Sequence, residues 1–285
     1  NLHKEVTDRI LAALRAGTVP WRKPWKDAGL GVMPRNAVTG RAYSGVNVIL
    51  LWMTAEERGY SAPLWLTYQQ ANEAGGHVRK GEKGTQIIFV STYEREDEKT
   101  GEAKRVGFLK TFTVFNVAQC DDLPAQIEPT SPQPHGDARD PLADEFISST
   151  GAVVHHGESR AYYRPATDSI MLPRFEMFES AATYYGTAFH ELGHWTGSEK
   201  RLNRTMGKRF GDASYAAEEL VAELCSAFLC AEFGFDTGEA DAAYIASWIK
   251  FLQSHETAIV AAASAASNAV DYLRSLALAD DAKAA

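Results

Sequence analysis

The sequence predicts an α+β protein divided into two domains, and three observations carry that expectation. Strand-like runs and helix-like periods are segregated along the chain rather than alternating: Val, Ile, Phe and Thr crowd residues 86–117, and long helical patterns fill the chain beyond residue 180. Between them, Asp121 to Pro141 holds five prolines and few apolar residues, the composition of a linker. Charge is divided as well. Residues 1–120 carry 17 Lys and Arg against 12 Asp and Glu, a balance of +5, whereas the remainder carries 12 against 25, a balance of −13. The expected domains are therefore 1–120 and 142–285, with 121–141 joining them. At 285 residues and 45% hydrophobic content, the chain has enough apolar side chain for two cores.

The first domain opens with an amphipathic helix over Leu2 to Ala16, its apolar side made by Val6, Ile10, Leu11 and Leu14 and its end marked by Gly17. Pro20-Trp-Arg-Lys-Pro-Trp25 follows, where the two prolines favour an extended segment. Trp21 and Trp25 beside Arg22 and Lys23 offer rings for bases to stack on and cations for phosphates, as single-strand binding requires. The same tryptophans serve equally well to clasp a core. A Gly- and Asn-rich loop then supplies Arg35, Arg41 and Tyr43, before a helix from a Ser44 cap to Arg58. Thr67 caps a short second helix ending at Gly75-Gly76. The turn His77 to Gly84 is basic through Arg79, Lys80 and Lys83, but it lacks the residue order of a P-loop. Gln86–Tyr93 and Val106–Val117 read as strands joined by a charged loop. The net charge of −8 argues against nucleic acid for the chain as a whole, yet the basic first half remains suited to a polyanion.

In the second domain, residues 144–150 read as a helix and 153–156, 162–163 and 169–172 as short strands. Thr187-Ala-Phe-His-Glu-Leu-Gly-His-Trp-Thr-Gly197 comes next, a helical pattern with Ser180 as N-cap and Gly197 as a stop. His190 and His194 stand four apart, on one helix face, where both imidazoles can reach one metal ion. Glu191 is turned about a quarter turn away, beside the ion, where it can take a proton from water. By ordinary residue usage this five-residue pattern arises by chance in roughly one chain in a hundred of this length. Gly193 inside the helix costs about 1 kcal/mol against Ala, which predicts a closely packed second backbone. His155, His156 and His255 are additional histidines that lone-residue arguments connect only weakly to a metal. Residues 198–212 form a polar, basic loop, and helices follow over 215–230, 241–253 and from Thr257.

Three protein ligands plus water make the usual open catalytic zinc site, so a third ligand is expected downstream. On Tyr215–Cys230, Leu220, Leu224 and Phe228 form one apolar stripe, and Glu219 and Glu223 share the neighbouring face. This segment resembles the second helix of the thermolysin-like zincins. The resemblance implies Glu219 as the ligand and Glu223 as the acid that orients a ligand histidine. Glu218 is the alternative ligand, one residue out of phase.

Taken together, Val19-Pro-Trp-Arg-Lys-Pro-Trp25, Tyr43-Ser-Gly-Val-Asn47, Trp65-Leu-Thr-Tyr68, Gly76-His-Val-Arg-Lys-Gly81, Val114-Phe-Asn-Val117, Tyr163-Arg-Pro165, Asp168-Ser-Ile-Met-Leu-Pro173, the HExxH segment and Glu218-Glu-Leu-Val-Ala-Glu223 resemble the ArdC-type antirestriction proteins of conjugative plasmids. The likeness implies a small α+β single-stranded-DNA-binding domain followed by a zincin-like α+β metallopeptidase domain. It further implies protection of incoming plasmid DNA from host restriction, with single-stranded DNA and a host restriction-system protein as partners. One divalent ion is expected, Zn2+ by ligand type with Mn2+ as an alternative. Hydrolysis of a peptide bond would need an oxyanion donor, for which Tyr163 and Tyr215 are candidates, and Asp168–Leu172 is a candidate edge strand for a substrate. The competing function is a DNA- and partner-binding protector whose metal domain is structural. A metal-dependent nuclease is the weakest reading, because His2Glu around an HExxH helix suits amide hydrolysis better. Three cysteines without CxxC spacing favour a reducing cytoplasm, and no signal peptide is expected. No run approaches about 18 apolar residues, so no membrane partner is expected.

Overall fold

The computed structural model describes residues 2–21, 33–96, 103–124, 138–205, 213–236 and 242–284. Its architecture is two-domain α+β. One compact unit comprises residues 34–43 and 50–130; the other comprises 1–33, 44–49 and 131–285.

The unit over 34–43 and 50–130 is a four-stranded sheet with a helix on one face. β1 (Arg35–Asn36) runs parallel to β2 (Leu64–Thr67), which pairs antiparallel with β5 (Ala103–Asn116), itself paired with β4 (Thr85–Glu96). The β4–β5 hairpin is longer than expected, pairing from Thr85↔Val114 out to Glu96↔Ala103. Trp65, Ile87 and Val114 point to one face, where Leu51 and Ala55 of α2 (Val46–Arg58) cover them. Thr67 caps α3 (Tyr68–Glu73) in a capping box with Gln70. A two-residue pair, β3 (His77–Val78) with β6 (Cys120–Asp121), closes the basic turn. Where the sequence suggests a Ser44 cap, the chain instead passes Gly45 at φ 62° before α2 begins.

The other unit gathers both ends of the chain. α1 (Leu2–Arg15) packs on α7 (Ala242–Ser254), and Thr7 donates a hydrogen bond to the Glu256 carbonyl at 2.7 Å. Trp21 sits edge-on to Trp248, with ring centroids 5.1 Å apart. Composition assigns these N-terminal residues to the first domain, whereas burial of their apolar side groups them with the C-terminal helices. α4 (Pro141–Ser149) starts at an Asp140 cap and leads into a three-stranded sheet of order β7-β9-β8. β7 (Val153–His156) is parallel to β9 (Ser169–Leu172), and β8 (Tyr162–Arg164) is antiparallel to it. β9 is thus the central strand and not the edge; β8 and β7 take the edges.

α5 (Ala181–Thr196) lies against β8 and β9 and packs on α6 (Ala213–Phe233), while α8 (Ala258–Ala284) backs both helices. Ser180 caps α5 in a box with Thr183. Its buried face is aromatic. Tyr185 stacks on Phe235 at 4.6 Å and Phe189 on Phe233 at 5.5 Å, with Ile170 and Leu172 of β9 also in the core. Gly193 is the point of closest approach to α6: a Cβ there would stand 3.0 Å from the Ala222 Cα. The Ser226 hydroxyl donates to the Gly186 carbonyl at 2.7 Å, so the two helices run antiparallel. Among the described residues no helix is long and apolar enough to cross a membrane.

Candidate metal centre

α5 and α6 face each other across the residues that the HExxH pattern singles out. The Nε2 atoms of His190 and His194 are 3.1 Å apart. Glu219, one helix across, places Oε1 3.4 Å from His194 Nε2 and Oε2 3.6 Å from His190 Nε2. A tetrahedral ion with bonds of about 2.0–2.1 Å requires donor–donor edges of roughly 3.3 Å, close to all three values. Two imidazole nitrogens facing each other at this distance share either a proton or a cation. The donor set therefore fits a divalent ion, and His190, His194 and Glu219 form a His2Glu cluster among the described residues. The His190, His194 and Glu219 side chains are 24%, 12% and 19% exposed, so the cluster is not sealed from solvent.

The outer ring nitrogens face carboxylates. Glu223 Oε2 stands 3.7 Å from His190 Nδ1, and Glu218 Oε1 stands 3.4 Å from His194 Nδ1. Glu218 thus faces the far nitrogen of His194, whereas Glu219 faces both Nε2 atoms. Arg204 grips Glu218 with Nε to Oε2 at 3.0 Å and Nη2 to Oε1 at 2.8 Å. Burial works to raise the Glu218 carboxyl, but His194 and Arg204 outweigh it and hold the group below the usual carboxylate range. Glu219 behaves likewise, with both histidines overcoming its burial. Burial alone would lower His190, yet hydrogen bonds to Glu219 and Glu223 raise it above the usual imidazole range.

Glu191 is 7% exposed on the same helix. Burial pushes its carboxyl up, against the pull of His190, His194 and a hydrogen bond with the Tyr163 backbone. A carboxylate raised in this way is a better proton acceptor near neutrality. The Tyr163 hydroxyl is engaged elsewhere: it donates to Asp168 Oδ1 at 2.8 Å and receives Arg201 Nη2 at 3.1 Å. Arg201 also lies over the Trp195 ring at 3.8 Å and pairs with Asp168. Tyr215 lies at the start of α6, half-buried. The remaining histidines serve locally. His156 Nε2 is 3.0 Å from the Tyr184 hydroxyl, His255 Nδ1 is 3.0 Å from the Phe251 carbonyl, and His155 is exposed on β7.

The residues expected to contact DNA fare unevenly. Arg22, Lys23 and Trp25 lie outside the described residues. Trp21 is 2% exposed and offers no face to a base, so its role is in the core. Tyr43 packs against the core around Trp65. Arg79 is neutralised by Glu82 at 2.8 Å and Asp121 at 3.2 Å and braces the β3–β6 pair. Arg35 donates to the Gly40 carbonyl at 3.2 Å, while Arg41, Lys80 and Lys83 are exposed. Sequence reasoning missed three open rings in the same unit: Tyr68 (57% exposed), Phe89 (53%) and Phe112 (46%). Phe89 and Phe112 form an edge-to-face pair with centroids 6.0 Å apart.

A zincin-like α+β metallopeptidase domain, paired with a small sheet domain, is the class these features define. Residues 141–265 match the zincin-like metallopeptidase family, and residues 1–115 match the N-terminal domain of anti-restriction factor ArdC. The chain belongs to the ArdC antirestriction family. It superposes on the metal-free crystal structure of the antirestriction protein ArdC from plasmid R388 with a TM-score of 0.83 at 46% identity, covering 98% of both chains. The Mn(II)-bound structure of that protein gives 0.80 at 44% identity, covering 97% of this chain and 98% of that one. An uncharacterised protein, y4eC of Sinorhizobium fredii, is 38% identical across 96% of this chain and 91% of its own. DNA primase TraC of Escherichia coli is 41% identical over 95% of this chain, which spans 27% of that longer protein. The Mn(II)-bound relative and the His2Glu geometry together support a divalent ion here.

Removal of ligands should grade accordingly. Glu219→Ala is expected to weaken metal binding severely, and Glu223→Ala by roughly 10–100-fold, because the latter only orients a ligand. Calorimetric titration with Zn2+ and Mn2+ checks the order; a Glu223 loss larger than the Glu219 loss would reverse the assignment.

Proposed function

We propose that this protein binds single-stranded DNA and uses a peptidase-type metal site, protecting incoming plasmid DNA from host restriction during conjugation in the recipient cytoplasm. The observation that carries the peptidase half is the convergence of His190, His194 and Glu219 within 3.1–3.6 Å on the helix that bears Glu191 and its neighbour. A divalent ion held there supplies Lewis acidity toward a peptide carbonyl, and the ligand set suits zinc best. Glu191 accepts the proton of the attacking water and passes it to the leaving amine. Glu223 and Glu218 hold the outer N–H groups so that both Nε2 lone pairs face inward. Subunits of the host restriction system are the proposed peptide substrates. Incubating them with metal-loaded protein should give discrete fragments that a chelator abolishes. Intact subunits after prolonged incubation would sink the peptidase half.

The DNA half rests on membership of the family, on the relation to a primase and on the open rings and cations of the sheet unit. Tyr68, Phe89 and Phe112 supply stacking faces; Arg41, Lys80 and Lys83 supply charge. Phe89→Ala and Phe112→Ala should each cost about 1–3 kcal/mol of single-strand affinity, read by fluorescence polarisation. Each phosphate contact should add about −0.7 to the slope of log K against log salt. Affinity unchanged in both variants would move the binding surface elsewhere.

A further inference from the structure

The loop that follows α5 reaches back to the metal centre through one side chain. Arg204 is 12% exposed, and each nitrogen of its guanidinium donates a hydrogen bond. Nε and Nη2 bind both oxygens of Glu218, at 3.0 and 2.8 Å. Nη2 also reaches the Gly193 carbonyl at 2.7 Å, and Nη1 reaches the Thr196 hydroxyl at 2.9 Å. Its own backbone N–H donates to the Gly197 carbonyl at 2.9 Å. The cation therefore sits at the carbonyl end of α5, where a helix dipole favours it, and spans to the first turns of α6.

Gly197 makes room for this contact. A Cβ there would stand 2.8 Å from Arg204 Nη2 and 3.0 Å from Glu218 Oε1. The glycine has φ −74°, a conformation open to any residue, so it is space and not backbone geometry that the position requires. The expected stop signal is thus a gap for a guanidinium.

We propose that Arg204 is a positioning residue for the metal centre: by holding Glu218 it fixes the ring orientation and tautomer of His194. A neutral imidazole has one N–H and one lone pair, and a proton kept on Nδ1 leaves the Nε2 lone pair for the ion. Glu218, 3.4 Å from Nδ1, is the acceptor that keeps it there. The bidentate grip of Arg204 stops that carboxylate from rotating toward the ion and balances its buried charge. The proposal rests on the reading that His190, His194 and Glu219 hold a divalent ion.

The test is titration of the full chain with Zn2+ and Mn2+ by calorimetry, alongside Mn(II) electron paramagnetic resonance and circular dichroism. Arg204→Met should raise the metal dissociation constant by roughly 10–100-fold and broaden the Mn(II) spectrum. Arg204→Lys should recover part of the loss. Glu218→Gln should lose a similar factor, and the double variant should lose no more than the worse single, because both act along one path. If Arg204→Met leaves Glu218 buried and unpaired and fails to fold, the double variant, which removes both charges, carries the comparison with Glu218→Gln. Folded variants within about threefold of wild type, or additive losses in the double, overturn the proposal. Wild-type protein that binds neither ion overturns the reading of the site instead.

Discussion

Glu191→Gln is expected to lower peptide hydrolysis by about 10²- to 10⁴-fold, the usual contribution of a general base, while leaving metal binding near wild type. The substitution keeps the side chain's size and an oxygen that can accept the hydrogen bond of the Tyr163 backbone, but it cannot take a proton from water. Since Glu191 is not among the converging donors, the His2Glu cluster stays complete. Single-strand affinity should be unchanged, because its proposed groups lie in the other unit. Plasmid protection in a restricting host then separates two functions. Lost protection with metal and DNA affinity intact makes proteolysis part of the mechanism. Retained protection assigns it to DNA or partner binding, with the metal domain serving structure.

Gly193→Val should have the second large effect, on folding and metal together. Alanine at this position would recover about 1 kcal/mol of helix propensity, but its Cβ would meet the Ala222 Cα at 3.0 Å and the Cys225 Cβ at 3.3 Å. Backbone and a buried neighbour cannot give way as a flexible side chain does. Valine adds two more methyl groups in the same gap, so overpacking outweighs propensity by a wide margin, at about 3 kcal/mol. The damage extends to chemistry because two of the proposed ligands ride on α5 and one on α6. Any widening between the helices draws Glu219 away from both histidines. Thermal unfolding and metal titration together read the effect; a variant that kept full metal affinity would show that α5 and α6 tolerate separation.

Much of this centre was legible in the sequence because helical spacing is local. His190, Glu191 and His194 share one helix, and an internal glycine announces a close neighbour without naming it. The assignment of Glu219 over Glu218 needed the orientation of α6 against α5, which a one-residue phase difference leaves open in sequence. Arg204 was illegible. It lies in a stretch whose composition is merely basic, and its partners are 8 to 14 residues away in sequence, outside any helical spacing. The DNA-facing residues failed for a related reason: tryptophan and arginine next to each other look alike whether the ring is stacked on a base or buried on Trp248. Open rings at Phe89 and Phe112 hid inside an ordinary strand pattern, because the hairpin carries its apolar face beyond the helix that covers Ile87.

The pairing of α1 with α7 has a consequence for how the protein is made. α1 leaves the ribosome well over 200 residues before α7, yet the surface that buries Val6, Ile10 and Leu14 begins only at Ala242. At about 5–20 residues per second, roughly 10–45 s of synthesis separate the two. During that interval the sheet unit, nearly continuous in sequence, can complete its own core. Until α7 emerges, α1 waits with its apolar stripe uncovered. The helices that bring His190, His194 and Glu219 together thus emerge after the strands of the sheet unit, whose pairings can already be in place.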